Sequence, residues 1–354
     1  MEERNPPGVD LDRVAAWLEP MVGGLDGALS AEVIAGGRSN LTYVIHDRRR
    51  EWVLRRPPLA HVLPTAHDMA REYRVISALG PTEIPVPGVV GLCEDHDVLG
   101  VTFYVMERVH GHIVRESIPA EYPDTAGTRE AMSRVLITTL AALHAVAPES
   151  VGLEGFGKPA GYLERQLRRW WSQWELSKTR ELQSMEELRR RLEAGLPEQG
   201  APGIVHGDYR LDNVLLGPDD PGRIAAILDW EMCTIGDPLA DLGLLLVYWA
   251  DDEDASDLRE AMSLSPITVQ DGFYDRARLV LEYSRHSDRN LEALEWYVAL
   301  GFFKLAIVAE GIHARFLMGM TVGEGFELMG PRVPALVDHA LARGAASGLR
   351  GLRG

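Results

Sequence analysis

Apolar positions along the first hundred residues change period several times, and each change predicts an element. Leu11 to Met21 spaces its apolar residues as an amphipathic helix within a leader covering residues 1–30. Ala31 to Ile45 reads as strand, Gly-rich turn and strand, and Glu51 to Arg56 as another strand. Within Pro64 to Leu79, the apolar positions Met69, Tyr73, Ile76 and Leu79 fall at helical spacing. Pro81 to Pro87 breaks the chain, and Val89 to Leu92 and Thr102 to Glu107 are predicted strands around a loop from Cys93 to Gly100. The pattern predicts a small β-rich part carrying one helix.

After Gly111 the period turns helical. Predicted helices cover Thr128 to Ala145, then Tyr162 to Ala194 as one long charged helix bearing Trp170, Trp171 and Trp174. Asp237 to Trp249, Val269 to Glu282, Leu291 to Met318 and Val333 to Ala345 follow, with residues 346–354 frayed. The change of period near Glu107 to Gly111 divides the chain into domains 1–107 and 108–354. One strand pair interrupts the helices. Val214 to Leu216 and Ile224 to Leu228 are short apolar runs, separated by Gly217-Pro218-Asp219-Asp220-Pro221-Gly222, which is turn chemistry.

That hairpin gives the polar residues at its mouth a meaning. Asn213 enters it and Asp229 leaves it, so both are expected at the same open end, and Asp208 lies five residues before Asn213 on the feeding loop. Magnesium takes oxygen ligands, usually one or two from protein with the rest from phosphates and water. Asn213 and Asp229 suit that need, leaving Asp208 to orient a hydroxyl and take its proton. Singly, each residue favours the plainer reading of a turn or strand-end group. The ordered set favours phosphoryl transfer.

Ile204-Val205-His206-Gly207-Asp208-Tyr209-Arg210-Leu211-Asp212-Asn213, Ile227-Leu228-Asp229-Trp230-Glu231 and Gly236-Asp237-Pro238-Leu239-Ala240-Asp241-Leu242 resemble the catalytic segment of the aminoglycoside phosphotransferase and choline kinase superfamily. The resemblance runs from about Val33 to Leu317, and its nearest branch includes the kinase-like domains fused to acyl-CoA dehydrogenases. It implies an α+β, two-lobed protein-kinase-like fold, with a small β-rich N-terminal lobe and a larger helical C-terminal lobe. It implies ATP and Mg2+ as cofactors and a small-molecule hydroxyl as acceptor: a metabolic alcohol, a hydroxyacyl compound or an aminoglycoside-like molecule. A nucleotide-binding scaffold without catalysis is the alternative, disfavoured by the retention of Asp208, Asn213 and Asp229 together. A hydrolase using His206 and Asp208 lacks a nucleophile in a suitable motif.

On the nucleotide side, Ala35-Gly36-Gly37-Arg38-Ser39-Asn40 joins two predicted strands, and backbone N–H groups at Gly37 with the side chains of Ser39 and Asn40 could meet phosphate. By resemblance, Arg55 rather than Arg56 takes the place of the phosphate-binding lysine, Glu72 pairs with it, and the backbone of Glu107 and Val109 meets adenine. Asp241 is implied to hold the catalytic loop, with His206 packed beside it. Asp237 could cap the helix that Pro238 begins, and Glu231 could serve the metal's surroundings or face solvent. Acceptor candidates are the Trp170/Trp171/Trp174 cluster, Lys304, Glu310, His313 and Arg315, with Arg210 able to meet an anion.

Composition narrows the classes. The 354 residues can bury a large core. A formal net charge of -17 argues against nonspecific nucleic-acid or anionic-membrane binding. The two cysteines, Cys93 and Cys233, lack metal-ligand spacing, and the first residues lack an apolar signal core, so a cytoplasmic location is expected.

Overall fold

The computed structural model describes residues 5–34, 40–59, 68–251, 254, 258, 266–321 and 325–353. The chain forms two compact units: Met1–Gly111 with Ala225–Cys233, and His112–Ile224 with Thr234–Gly354. The segment carrying Asp229 therefore groups with the first unit, although it follows the hairpin of the second in sequence.

The first unit is built on an antiparallel five-stranded sheet in the order β1-β2-β3-β5-β4. Its strands are β1 (Ser30–Val33), β2 (Leu41–His46), β3 (Glu51–Arg56), β4 (Val89–Cys93) and β5 (Phe103–Glu107). Helix α1 (Leu11–Val22) starts where the Asp10 carboxylate accepts the Arg13 N–H, and it stops at Gly23, whose φ of 73° is left-handed. Its buried face of Leu11, Val14 and Leu18 packs with Tyr43, Ile45, Leu54, Phe103 and Val105 from alternate positions of the central strands. Helix α2 (Met69–Leu79) is capped by Asp68. The loop expected between the last two strands contains a short helix, α3 (His96–Leu99), capped by Asp95.

The second unit is helical, as expected for a protein-kinase-like fold. It contains α4 (Ala126–Ala145), α5 (Tyr162–Ser177), α6 (Gln183–Ala194), α7 (Leu239–Tyr248), α8 (Arg276–Arg285), α9 (Leu294–Leu317) and α10 (Met329–Ala346). Strands β6 (Gly203–Val205) and β9 (Thr234–Gly236) pair antiparallel, and β7 (Val214–Gly217) pairs with β8 (Asp220–Ile227). The expected six-residue turn is tighter, because Asp220 to Gly222 already belongs to β8.

Three expectations need correction. The long helix from Tyr162 to Ala194 is two helices, broken at Lys178 to Leu182. Buried Glu310 of α9 causes the break's geometry: its Oε1 accepts the Thr179 N–H and hydroxyl, both at 2.7 Å, and its Oε2 pairs with Arg180 at 2.9 Å. The helix expected at Val269 begins only at Arg276, after a helical turn at Pro266–Val269. The tail is not frayed through residue 353: Leu352 is buried, and its carbonyl accepts from Arg191 at 3.0 Å.

Helix α9 is long and apolar enough to cross a membrane by length and composition, yet most of it is buried inside the protein. It lies close against α7 at two glycines. A Cβ at Gly243 would come 2.5 Å from the Tyr297 backbone, and one at Gly301 would come 2.9 Å from Val247.

Candidate functional site

The first unit gathers a charged cluster at the end of its sheet. Arg55 lies opposite Thr42 of β2 and Tyr104 of β5. Its Nε is 3.2 Å from Glu72 Oε2, and its Nη2 is 3.3 Å from Asp229 Oδ1. The Nε approach is an ion-pair contact without hydrogen-bond alignment. Arg56, alternating to the other face, donates to the Gly8 and Pro57 carbonyls. The structure thus places Arg55, and not Arg56, with the acidic groups.

Glu72 sits in the first turn of α2, where Asp68 fixes the helix start. Its carboxylate is almost wholly buried and accepts from Asn40 Nδ2 at 2.9 Å and from the Tyr104 hydroxyl at 2.9 Å. Burial pushes its carboxyl up, opposed by Arg55 and the Tyr104 hydroxyl. Burial also works against the Arg55 charge, but Tyr104, Glu72, Asp229 and Glu231 hold its guanidinium above the ordinary value. Asn40 donates as well to Glu231 Oε2 at 3.1 Å, so Glu231 has a partner within the cluster. Among the described residues no donor reaches the buried Asn40 Oδ1. Tyr104 is a member that sequence reasoning missed; its one signal was the alternation that puts it opposite Arg55.

Asp229 alone among the described non-glycine residues has positive φ, at 63°. That conformation costs about 1–2 kcal/mol for a residue with a Cβ. The following turn holds it. Trp230 is buried and donates its indole N–H to the Ile227 carbonyl at 3.0 Å, while Arg71 donates to the Cys233 carbonyl at 3.1 Å. The strain is local to a residue singled out for chemistry, as is common at functional sites.

The second unit carries Asp208 and Asn213. The Asn213 Nδ2 donates to the Asp208 carbonyl at 2.8 Å and to Asp208 Oδ2 at 2.9 Å. Both bonds run through nitrogen, and neither engages Oδ1. Arg210 places Nε 3.3 Å from Asp208 Oδ2 and Nη1 3.2 Å from Asp212 Oδ2, over the Tyr248 ring. Burial and the nearby Asp208 carboxylate push the Tyr248 hydroxyl well up. Burial pushes the Asp212 carboxyl up against the pull of Arg210.

Asp241 of α7 holds the loop from behind. Its Oδ2 accepts the His206 N–H at 2.6 Å and its Oδ1 accepts the Gly207 N–H at 2.8 Å. Burial would raise this carboxyl, yet His144, His206 and the Gly207 N–H hold it below the usual range. His206 is fully buried, with Nδ1 accepting the Asp208 N–H at 3.2 Å. Gly207 has φ of 89°, a conformation suited to glycine. Asp237 accepts the Leu239 N–H at 3.1 Å at the start of α7, as expected of a cap.

The remaining candidates divide. Gly37 and Ser39 lie outside the described residues. Glu107 ends β5, and its N–H is taken by the Gly88 carbonyl at 2.7 Å; Val109 follows in irregular chain. Trp174 is core, whereas Trp170 and Trp171 are half-buried. Glu310 is withdrawn from the acceptor candidates, because it is wholly buried and spent on Thr179 and Arg180. His313 packs against Phe316 and Gly330, and Arg315 is exposed. Lys304 donates to the Gly207 carbonyl at 2.6 Å.

Among the described residues no three His, Cys, Asp or Glu side chains cluster as a metal cage. Asn213 Oδ1, in the second unit, and the Asp229 carboxylate, in the first, are each a hard oxygen of the kind magnesium takes.

Comparison with known proteins follows this chemistry. Residues 30–265 match the phosphotransferase enzyme family. Acyl-CoA dehydrogenase family member 11 of Rattus norvegicus is 35% identical over 309 residues, covering 86% of this chain and 39% of that protein. The chain thus spans about two fifths of the length of such relatives. A crystal structure from Ralstonia eutropha, assigned provisionally as an aminoglycoside phosphotransferase, superposes with a TM-score of 0.80 at 31% identity, covering 94% of this chain and 98% of that one. Aminoglycoside phosphotransferase APH(4)-Ia, solved with AMP-PNP and hygromycin B, shares the fold at 16% identity, with a TM-score of 0.57 and coverage of 95% and 99%.

Proposed function

This chain belongs to the phosphotransferase enzyme family, and we propose that it is an ATP- and magnesium-dependent kinase of a small-molecule hydroxyl. The observation that carries the reading is the loop of the second unit. Asp208 is held at its backbone and at one carboxylate oxygen by Asn213, while Asp241 fixes the two preceding peptide groups. A carboxylate so fixed can orient an alcohol and accept its proton as the oxygen forms a bond to phosphorus and the bond to the ADP oxygen breaks.

Asn213 and Asp229 are the magnesium-binding groups in this reading, and the ion would neutralise charge on the β- and γ-phosphates. Arg55, fixed by Glu72, clamps phosphate with two N–H groups where a lysine would offer a point charge. Positioning and charge neutralisation supply most of the rate. The likeness to acyl-CoA dehydrogenase family members supports a metabolic alcohol or hydroxyacyl compound as acceptor over an antibiotic. The reading excludes nucleic acid and membrane as partners and favours the cytoplasm.

The test is an ATP-consumption screen over alcohols, amino sugars and hydroxyacyl-CoA compounds, with Asp208→Ala as control. Acceptor-dependent turnover lost in the variant, with nucleotide binding kept, supports the reading. Nucleotide binding without turnover on any acceptor would favour the scaffold instead.

A further inference from the structure

Lys304 is the one charged residue between Glu295 and Glu310 of α9, in a stretch whose other residues, Val308 apart, are buried. Burial pushes its ammonium down, against the opposite pull of Asp208 and Asp241. A cation in such a place needs a reason, because desolvation penalises it.

Its contacts give one. The Nζ donates to the Gly207 carbonyl at 2.6 Å and lies 5.5 Å from the Trp170 ring centre. The peptide N–H of the same glycine goes to Asp241 Oδ1 at 2.8 Å. Gly207 is therefore gripped on both sides, by a carboxylate from α7 and an ammonium from α9. The two helices are brought close by Gly243, two residues after Asp241, and by Gly301, three before Lys304. The carbonyl that Lys304 holds belongs to the peptide leading into Asp208. Releasing it frees rotation of a left-handed glycine immediately before the proton acceptor.

We propose that Lys304 is a positioning residue for phosphoryl transfer: it clamps the Gly207 carbonyl so that Asp208 faces the acceptor hydroxyl. The inference rests on the kinase reading above. It assigns Lys304 to the loop backbone rather than to the acceptor itself, the role its sequence position first suggested.

Lys304→Met keeps the apolar stem and removes the ammonium. A merely structural lysine would lose stability and activity together. A positioning lysine gives a different signature: the melting temperature falls by no more than about 4 °C, since one part-buried carbonyl loses its donor while the apolar stem stays packed. Amide exchange across Gly207 to Asn213 should speed up by about tenfold or more on loss of one charge-assisted hydrogen bond. Acceptor-dependent kcat should fall by about 100-fold while KM for ATP stays within about twofold. Lys304→Arg, which keeps charge and donors, should recover kcat to within about tenfold of the parent.

Melting and amide exchange need no acceptor, so they decide the clamp even if the kinase reading fails. A parent enzyme inactive on every hydroxyl would count against that reading alone. Unchanged exchange and kcat in Lys304→Met would overturn the clamp. So would a parallel fall in stability and activity, a Met variant that does not fold, or an Arg variant as impaired as Met.

Discussion

Asp241→Asn is the sharpest perturbation the second unit allows, because it changes one oxygen to an amide without removing volume. In the parent, one carboxylate serves a buried N–H donor, from His206 at 2.6 Å, and a part-buried one, from Gly207 at 2.8 Å. An asparagine has a single acceptor oxygen. Whichever donor it faces, its NH2 points at the other, which is left unpaired. An unsatisfied buried donor costs about 1–3 kcal/mol, and the upper end applies here because the lost acceptor was charged. His144 Nε2, 3.5 Å from Oδ2, loses its charged neighbour as well. For a body of this size, about 3 kcal/mol corresponds to a melting temperature lower by roughly 6–12 °C. Differential scanning calorimetry reads this directly. A shift below about 2 °C would refute the claim that Asp241 carries the loop backbone, since it would correspond to 1 kcal/mol or less.

Other expectations follow from the same geometry. The Asp241 carboxyl is depressed in the folded state, so its contribution is full above the unfolded value of about 3.9 and is lost as pH falls through the folded value. Urea midpoints should therefore drop more steeply below about pH 4 in the parent than in Asp241→Asn. Arg55→Met strands Glu72, which is almost wholly buried, and should cost about 3–5 kcal/mol of stability. By calorimetric titration the same variant should bind an ATP analogue at least about tenfold more weakly, a change of about 1.4 kcal/mol. Glu310→Gln should lower stability by about 1–3 kcal/mol through the loss of Arg180 and Thr179, with KM for the acceptor unchanged in steady-state kinetics.

The strands of the first unit were legible because alternation is a local signal: Glu51–Arg56 has the boundaries its apolar pattern predicts. The break between α5 and α6 was not. Charged and apolar residues continue through Lys178 to Leu182 without glycine or proline, and what ends α5 there includes a carboxylate more than a hundred residues away. The tail was misjudged for a related reason, since Leu352 is buried by a partner helix its own sequence does not reveal. Among site residues, Asp208 and Asn213 were readable as a spaced pair, and the structure joins them directly. The strain at Asp229 and the Tyr104 hydroxyl on Glu72 arise from backbone conformation and cross-strand pairing, which spacing alone does not encode. Glu310 shows the opposite error, in which a polar residue on a late helix invites a functional role that burial and pairing remove.

The central claim is that Asp208 accepts the proton of a hydroxyl as phosphate leaves ATP. Phosphorus NMR of a reaction with ATP, magnesium and an acceptor found by screening tests it most directly. A phosphomonoester resonance should appear with the parent and be absent with Asp208→Ala, while both bind nucleotide alike. Ester formed at the same rate by both proteins, or inorganic phosphate as the sole product in each, would contradict the account.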